Sequence, residues 1–186
     1  MQKDIVSYTD EELVIKIIEK NDIHLFSVLY DRYADKVYGR CLSFLKSVEE
    51  AQDIAHDIFV QLFVKLKTFR GESKFSTWMY AFTYNHCVNY VQRQLSTKNK
   101  RFTELTEDNY YIEDSSLDSE ILNLKVEKLL KSLDLMDVND KMIILMKYQD
   151  DFSIQDIQLA LNISGSAVKM RLKRAKEKLI EIYQAL

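Results

Sequence analysis

The chain has 186 residues, 47% of them apolar and 30% charged, with a formal net charge of −3. That balance excludes a disordered chain, and the stock of apolar residues suits one ordinary domain or two small ones. No apolar run approaches the length of a bilayer span, and MQKDIVSYTDEE lacks the apolar core of a secretion signal, so a cytoplasmic location is expected.

The chain holds no proline and only three glycines. Little β-turn chemistry remains, and the expected fold class is all-α. Cys41 and Cys87 lie far apart, with no Cys or His neighbour at metal-ligand spacing. They read as small buried hydrophobes, and no metal or cofactor is expected.

Thr9 or Asp10 caps a first helix whose apolar face is Leu13, Val14, Ile17 and Ile18. A second helix carries Phe26, Leu29, Tyr30, Tyr33, Val37, Tyr38, Cys41, Leu42 and Leu45 at helical spacing. Ser47 starts a third, with Ala51, Ile54, Ala55, Ile58, Phe59, Leu62, Phe63 and Leu66 on one stripe. Its opposite face shows Gln52, Asp53, His56, Asp57 and Gln61. By charge alone that face is an ordinary solvated surface.

A turn, Arg70-Gly71-Glu72-Ser73, precedes a helix expected to be capped by Ser76, with Phe75 and Tyr80 as a hydrophobic staple. Trp78, Phe82 and Val88 can share one buried stripe. Tyr80, Tyr84, Tyr90 and Arg93 are left for other faces, because one helix in a small domain does not bury every side. Exposed aromatics beside a basic residue suit stacking of unpaired bases and binding of their phosphates. A first helical domain therefore spans 1–95.

Residues 96–119 begin basic and turn acidic, with seven acidic and no basic residues from Glu104 to Glu120. They read as a flexible linker, with Tyr110, Tyr111 and Ile112 as its apolar cluster. A second domain spans 120–186. Ile121, Leu124, Leu129, Leu130 and Leu133 mark its first helix, and DKMIILMKY reads as a buried one. Helices capped by Ser153 and Ser164 then meet across a turn at Asn162-Ile163, which is a helix-turn-helix pattern.

In the last helix Val168, Leu172, Ala175 and Leu179 share a stripe, turning Gly165, Ser166, Lys169, Met170 and Lys173 outward. Small residues at its start allow a close approach to a major groove, with Arg171, Arg174 and Lys176 placed to flank phosphates. Six basic residues and one acidic lie between Lys169 and Lys178, so the negative total hides a basic end.

Three segments carry a resemblance. FRGESKFSTWMYAFTYN is similar to the F-x-G-x-S-x-F-x-T-W-L-Y-x-I-A-x-N pattern of extracytoplasmic-function (ECF) sigma factors, through Phe69, Gly71, Ser73, Phe75, Thr77, Trp78, Tyr80 and Asn85. The C-terminal segment resembles the second conserved domain of sigma factors at Ser153, Asp156-Ile157, Leu161, Ile163-Ser164, Val168-Lys169, Arg171-Leu172, Arg174-Ala175 and Leu179. It departs from that pattern at Met136-Asp137 (usually Leu-Pro), Asp151 (Gly), Gln158 (Ala) and Ala167 (Thr). EAQDIAHDIF resembles the family's D-A-E-D-L-V-Q-E-x-F, with His56 in place of Gln and Asp57 in place of Glu.

The resemblance implies a sigma factor, not an enzyme, that binds core RNA polymerase and directs it to promoters. Gln52, Asp53, His56 and Asp57 would dock on the β′ coiled coil, with the β flap as a further polymerase contact. Arg70, Ser73, Tyr84, Asn85, Tyr90 and Arg93 would meet the −10 element and hold an unpaired base. Gly165, Ser166, Lys169, Met170, Arg171, Lys173 and Arg174 would read the −35 element. An anti-sigma factor is the expected regulator. Two rivals stand beside this reading. One is a stand-alone helix-turn-helix regulator with a helical effector domain; the other is an enzyme or metal site built on Asp53, His56 and Asp57.

Overall fold

The structure is a computed structural model that describes residues 7–98 and 125–186. Among the described residues there are eight α-helices: α1 (Asp10–Lys20), α2 (Ile23–Phe44), α3 (Val48–Lys65), α4 (Phe75–Lys98), α5 (Val126–Leu135), α6 (Val138–Tyr148), α7 (Ile154–Leu161) and α8 (Gly165–Ala185). A short 3-10 turn, Leu66–Thr68, follows α3. No strand occurs among the described residues. The chain divides into two compact units at Asn89/Tyr90. The first includes α1–α3 and most of α4; the second includes α5–α8.

Local chemistry starts α1 and α3 where the sequence predicts. Thr9 accepts from the Glu12 amide while Glu12 Oε2 accepts from the Thr9 amide, closing a capping box on α1. Ser47 Oγ accepts from the Glu50 amide at the start of α3. Asn21 ends α1 in the left-handed region, at φ 49°.

In the first unit, α2 packs against α1 and α3. Leu13, Val14, Ile17, Leu29, Val37, Cys41, Ala51, Ile54, Ile58 and Leu62 form its core. Each large aliphatic buried there contributes roughly 1.5–3 kcal/mol. Ile18, Tyr30 and Leu42, expected on apolar stripes, are instead exposed at 43%, 41% and 40%, because they sit at the stripes' outer edges. Cys41 and Cys87 bring α2 and α4 together with their sulfurs 3.7 Å apart, both thiols free and buried. A hydrogen bond to Cys41 and burial hold the Cys87 thiol well above its ordinary range.

Helix α4 differs from expectation at both ends. It begins at Phe75, so Ser76 lies in its first turn rather than at its cap. Phe75 and Tyr80 do not form a staple pair; each instead meets the edge of Tyr33, at 5.8 and 5.9 Å between centroids. At its far end the helix runs to Lys98, three residues into the stretch expected as linker. The rest of that stretch, with Tyr110, Tyr111 and Ile112, lies outside the described residues, as do Ile121 and Leu124.

The second unit packs α5, α6 and α7 around α8. The apolar run Met142–Met146 is buried within α6, as its composition predicts. Leu130, expected on the buried face of α5, is 57% exposed, while Leu133 is buried. Asp137 caps α6 by accepting from the Asn139 amide at 2.9 Å. A capping carboxylate thus stands where the pattern that this segment resembles has proline, and both devices suit a helix N-terminus.

Candidate nucleic-acid and polymerase interfaces

The four residues expected to dock on polymerase lie together. Gln52, Asp53, His56 and Asp57 are all exposed on α3, opposite the buried stripe from Ala51 to Leu62. Val60 and Val64 continue the same outer face, at 54% and 63% exposure. The surface is therefore acidic at its N-terminal end and apolar at its C-terminal end. Among the described residues, no group of three or more His, Cys, Asp or Glu side chains can hold a metal ion.

The aromatic helix turns a different face outward from the one its sequence suggests. Tyr84, expected as a DNA contact, is fully buried and meets Phe44 edge-on at 5.8 Å. It cannot reach a base without unpacking the core. Phe75, Met79, Cys87 and Val88 are buried with it. Trp78 and Phe82, expected as core, are only half-buried. Rings run from Phe69 to Trp78 (5.5 Å), from Trp78 to Phe82 (6.1 Å, planes 18° apart) and on to His86 (6.4 Å). Lys65 Nζ lies 5.9 Å from the Phe82 ring centre.

At 3.6 residues per turn, Trp78, Phe82, Asn85, His86 and Asn89 fall within about a third of the helix circumference. An asparagine amide and a ladder of rings therefore share one accessible strip. The turn before α4 contributes Arg70, which is exposed and 3.9 Å from Glu72 across a loose ion pair, and Ser73, which is half-buried. Gly71 holds φ 71° there, a backbone that a glycine adopts at least cost. Tyr90 and Arg93 follow on later turns, half-buried and exposed. The Tyr90 hydroxyl accepts from the Gln94 amide at 2.8 Å.

Sequence reasoning missed the ladder. Its signal was present as rings at i, i+4 and i+8, but that spacing equally describes a core stripe. Only the path of α2 across α4 decides which stripe is covered.

The helix-turn-helix forms as expected. Ser153 Oγ accepts from the Asp156 amide at 3.1 Å, and Asp156 Oδ2 accepts from the Ser153 amide and hydroxyl at 2.9 and 2.6 Å. Asn162 ends α7 in the left-handed region at φ 52°, and Ser164 caps α8 by accepting from the Ala167 amide at 3.2 Å. Val168, Leu172, Ala175 and Leu179 are buried. Lys169 and Arg171 are exposed; Gly165, Ser166, Met170, Lys173 and Arg174 are half-buried. Lys178 Nζ pairs with Asp140 of α6 at 2.5 Å, tying the far part of α8 to its unit.

An all-helical chain with an aromatic–asparagine strip in one unit and a capped, basic helix-turn-helix in the other has the make-up of a DNA-binding transcription protein. Comparison with known proteins narrows this class. Residues 29–97 match the model of Sigma-70 region 2, and residues 126–179 match Sigma-70, region 4. The ECF RNA polymerase sigma factor SigW of Bacillus subtilis (strain 168) is 30% identical over 176 residues, covering 89% of this chain and 92% of that protein. The RNA polymerase sigma-H factor of Pseudomonas aeruginosa is 25% identical, covering 95% of each chain. The fold resembles CnrH, solved in complex with the cytosolic domain of CnrY (TM-score 0.63, 18% identity, 95% of this chain and 97% of that one). It also resembles RpoE of Bartonella quintana, solved with the anti-sigma factor NepR (TM-score 0.60, 17% identity, 86% and 96%).

The chain belongs to the extracytoplasmic-function sigma factors of the sigma-70 family. It is a transcription-initiation protein, and this membership decides against the stand-alone regulator. No helix among the described residues is long and apolar enough to cross a membrane.

Proposed function

We propose that this sigma factor docks on core RNA polymerase through α3, reads a −35 element with α8, and opens the −10 element with the turn at 70–74 and the outer strip of α4. The observation that carries this reading is the strip itself: half-exposed rings of Trp78, Phe82 and His86 beside Asn85. Opening a duplex costs a few kcal/mol per unstacked step. Rings offset that cost by stacking on a freed base, and an amide adds directional hydrogen bonds to its edge. Arg70 and Arg93 supply positive charge for the strand's phosphates.

The exposed face of Gln52, Asp53, His56 and Asp57 serves the polymerase contact, with the β′ coiled coil as its partner and the β flap as a further polymerase contact of the chain. Lys169 and the start of α8 read base edges in the −35 major groove, together with Gly165, Ser166 and Met170. Arg171, Lys173 and Arg174 hold its phosphates. An anti-sigma factor is the proposed regulator, and RpoE of Bartonella quintana, which shares this fold, was solved in complex with one. The protein works in the cytoplasm and needs no cofactor or metal.

The test is permanganate footprinting on a duplex promoter selected by run-off transcription with core polymerase. Asn85→Ala lowers reactivity at the −10 thymines while polymerase binding and the closed complex persist. Wild-type extent of opening and wild-type base preference in that variant would refute the −10 assignment.

A further inference from the structure

The first turn of α1 carries three consecutive carboxylates, Asp10, Glu11 and Glu12, and each has a different task. Glu12 closes the capping box on its own helix. Asp10 reaches α2, pairing with Arg32 at 2.7 Å and accepting from the Tyr33 hydroxyl. Glu11 crosses to α4: its Oε1 accepts from the backbone N–H of Phe75 at 3.0 Å. The two residues are separated by 64 positions in the chain.

That amide opens α4 and belongs to the group of N–H donors that a helix cannot satisfy internally. The residue before it, Lys74, has no side-chain acceptor, and the Ser73 hydroxyl donates to the Lys74 carbonyl at 3.3 Å. The carboxylate that fills this place therefore comes from another element, with a charge that suits the positive end of the helix. The same Phe75 is fixed through its ring. It is fully buried and meets the edges of Tyr33 and Phe69, at 5.8 and 5.6 Å. Tyr33 is in turn the residue whose hydroxyl Asp10 accepts from. Backbone and ring of one residue are thus tied to α1 by two neighbouring carboxylates, one directly and one through Tyr33. Phe75 ends the turn at 70–74, so the N-terminus of α1 sets where that turn stops and where the strip of α4 begins.

We infer that Glu11 is a positioning residue for promoter opening: it touches no DNA but holds the first amide of α4, and through it the 70–74 turn, in register for the strand. This inference rests on the −10 reading of that strip. Glu11 is itself exposed, so its substitution removes the bond without opening the core.

The experiment compares full-length wild type, Glu11→Ala, Glu11→Gln and Asn85→Ala with core polymerase, on a duplex promoter and on the same promoter with a pre-melted −10 bubble. Glutamine keeps a carbonyl acceptor and loses the charge. Glu11→Ala should lower permanganate-reactive open complex on duplex about fivefold, the ratio that loss of an average helix cap represents. Its polymerase affinity should stay within about twofold of wild type. Glu11→Gln should recover most of the loss, and the bubble should bring Glu11→Ala back near wild type. Hydrogen exchange at the Phe75 amide should be faster in Glu11→Ala whether or not DNA is present.

Wild-type opening by Glu11→Ala, with Asn85→Ala defective, would overturn the role of Glu11 and leave the −10 reading standing. Wild-type opening by both variants would overturn the two together. A Glu11→Ala defect that matches an equal loss of polymerase binding, or that glutamine fails to rescue, would also overturn the positioning role.

Discussion

Gln158 of α7 fills the space beside Gly165 at the start of α8: a Cβ built on Gly165 would stand 3.0 Å from Gln158 Oε1 and 3.2 Å from its Cδ. The sigma-factor pattern that this segment resembles has alanine at the first of these positions. The longer glutamine and the bare glycine are therefore read as a matched pair across the helix-turn-helix. Glycine at a helix position is worth up to about 1 kcal/mol less than alanine, but here a methyl group forces the glutamine to move. Gly165→Ala should accordingly gain little by itself. Combined with Gln158→Ala, it should stabilise the second unit by at least about 0.5 kcal/mol beyond the sum of the two single changes, a coupling expected of residues in contact. Urea unfolding of the four chains measures this, and strict additivity would show that the two side chains do not share the space.

A second departure from the family pattern has a backbone consequence. Asp151 stands where that pattern has glycine, and it adopts φ 53°. The left-handed region costs an L-residue roughly 1–2 kcal/mol, somewhat less for aspartate. Glycine escapes that penalty but loses roughly 0.5–1 kcal/mol more chain entropy on folding. The expected outcome is that Asp151→Gly raises stability by about 0.5 kcal/mol, while Asp151→Ala lowers it. Denaturation midpoints of the two variants should move in opposite directions; a common direction would mean that the aspartate side chain, rather than the backbone, decides.

Tyr33 links the N-terminus of α1 to the aromatic core, and its ionisation should be visible in alkaline stability. Burial, then the hydrogen bond and charge of Asp10, push its phenol above the ordinary value of 10.0. The folded state therefore keeps a proton that the unfolded chain gives up. The stabilisation is complete below about pH 10 and is lost as pH rises beyond it, by up to about 1.4 kcal/mol per pH unit. Tyr33→Phe retains the ring contacts to Phe75 and Tyr80 but removes the bond to Asp10. It should cost about 1–2 kcal/mol at pH 7, near the lower part of the range for hydrogen bonds to charged groups. That deficit should shrink between pH 10 and 11.5. Melting curves at both ends of the range check the sign; a deficit constant with pH would place the proton elsewhere.

Much of this protein is legible in its amino-acid order because the relevant physics is local. Helix caps at Thr9, Ser47, Ser153 and Ser164 depend on side chains within three residues of the amides they satisfy, so sequence alone locates them. The period of Ile54, Ile58 and Leu62, or of Val168, Leu172 and Leu179, likewise implies one buried face and one outer face. The polar outer face of α3 and the basic side of α8 follow as the remainder. The all-α class and the helix-turn-helix needed nothing more.

Tertiary structure decided what local rules leave degenerate. An aromatic helix with rings on every side has no single apolar stripe, and its periodicity does not say which rings are covered. The packing of α2 does: Phe44 and Cys41 cover the side with Tyr84 and Cys87, leaving Trp78, Phe82 and His86 half in solvent. The same limit explains the start of α4. Ser76 was the nearest acceptor in sequence, but the acceptor that caps Phe75 is Glu11, 64 residues away, and such a partner exists only once α1 has folded back across the unit. Sequence determines which groups need partners; where several are available at comparable cost, the path of the chain selects among them.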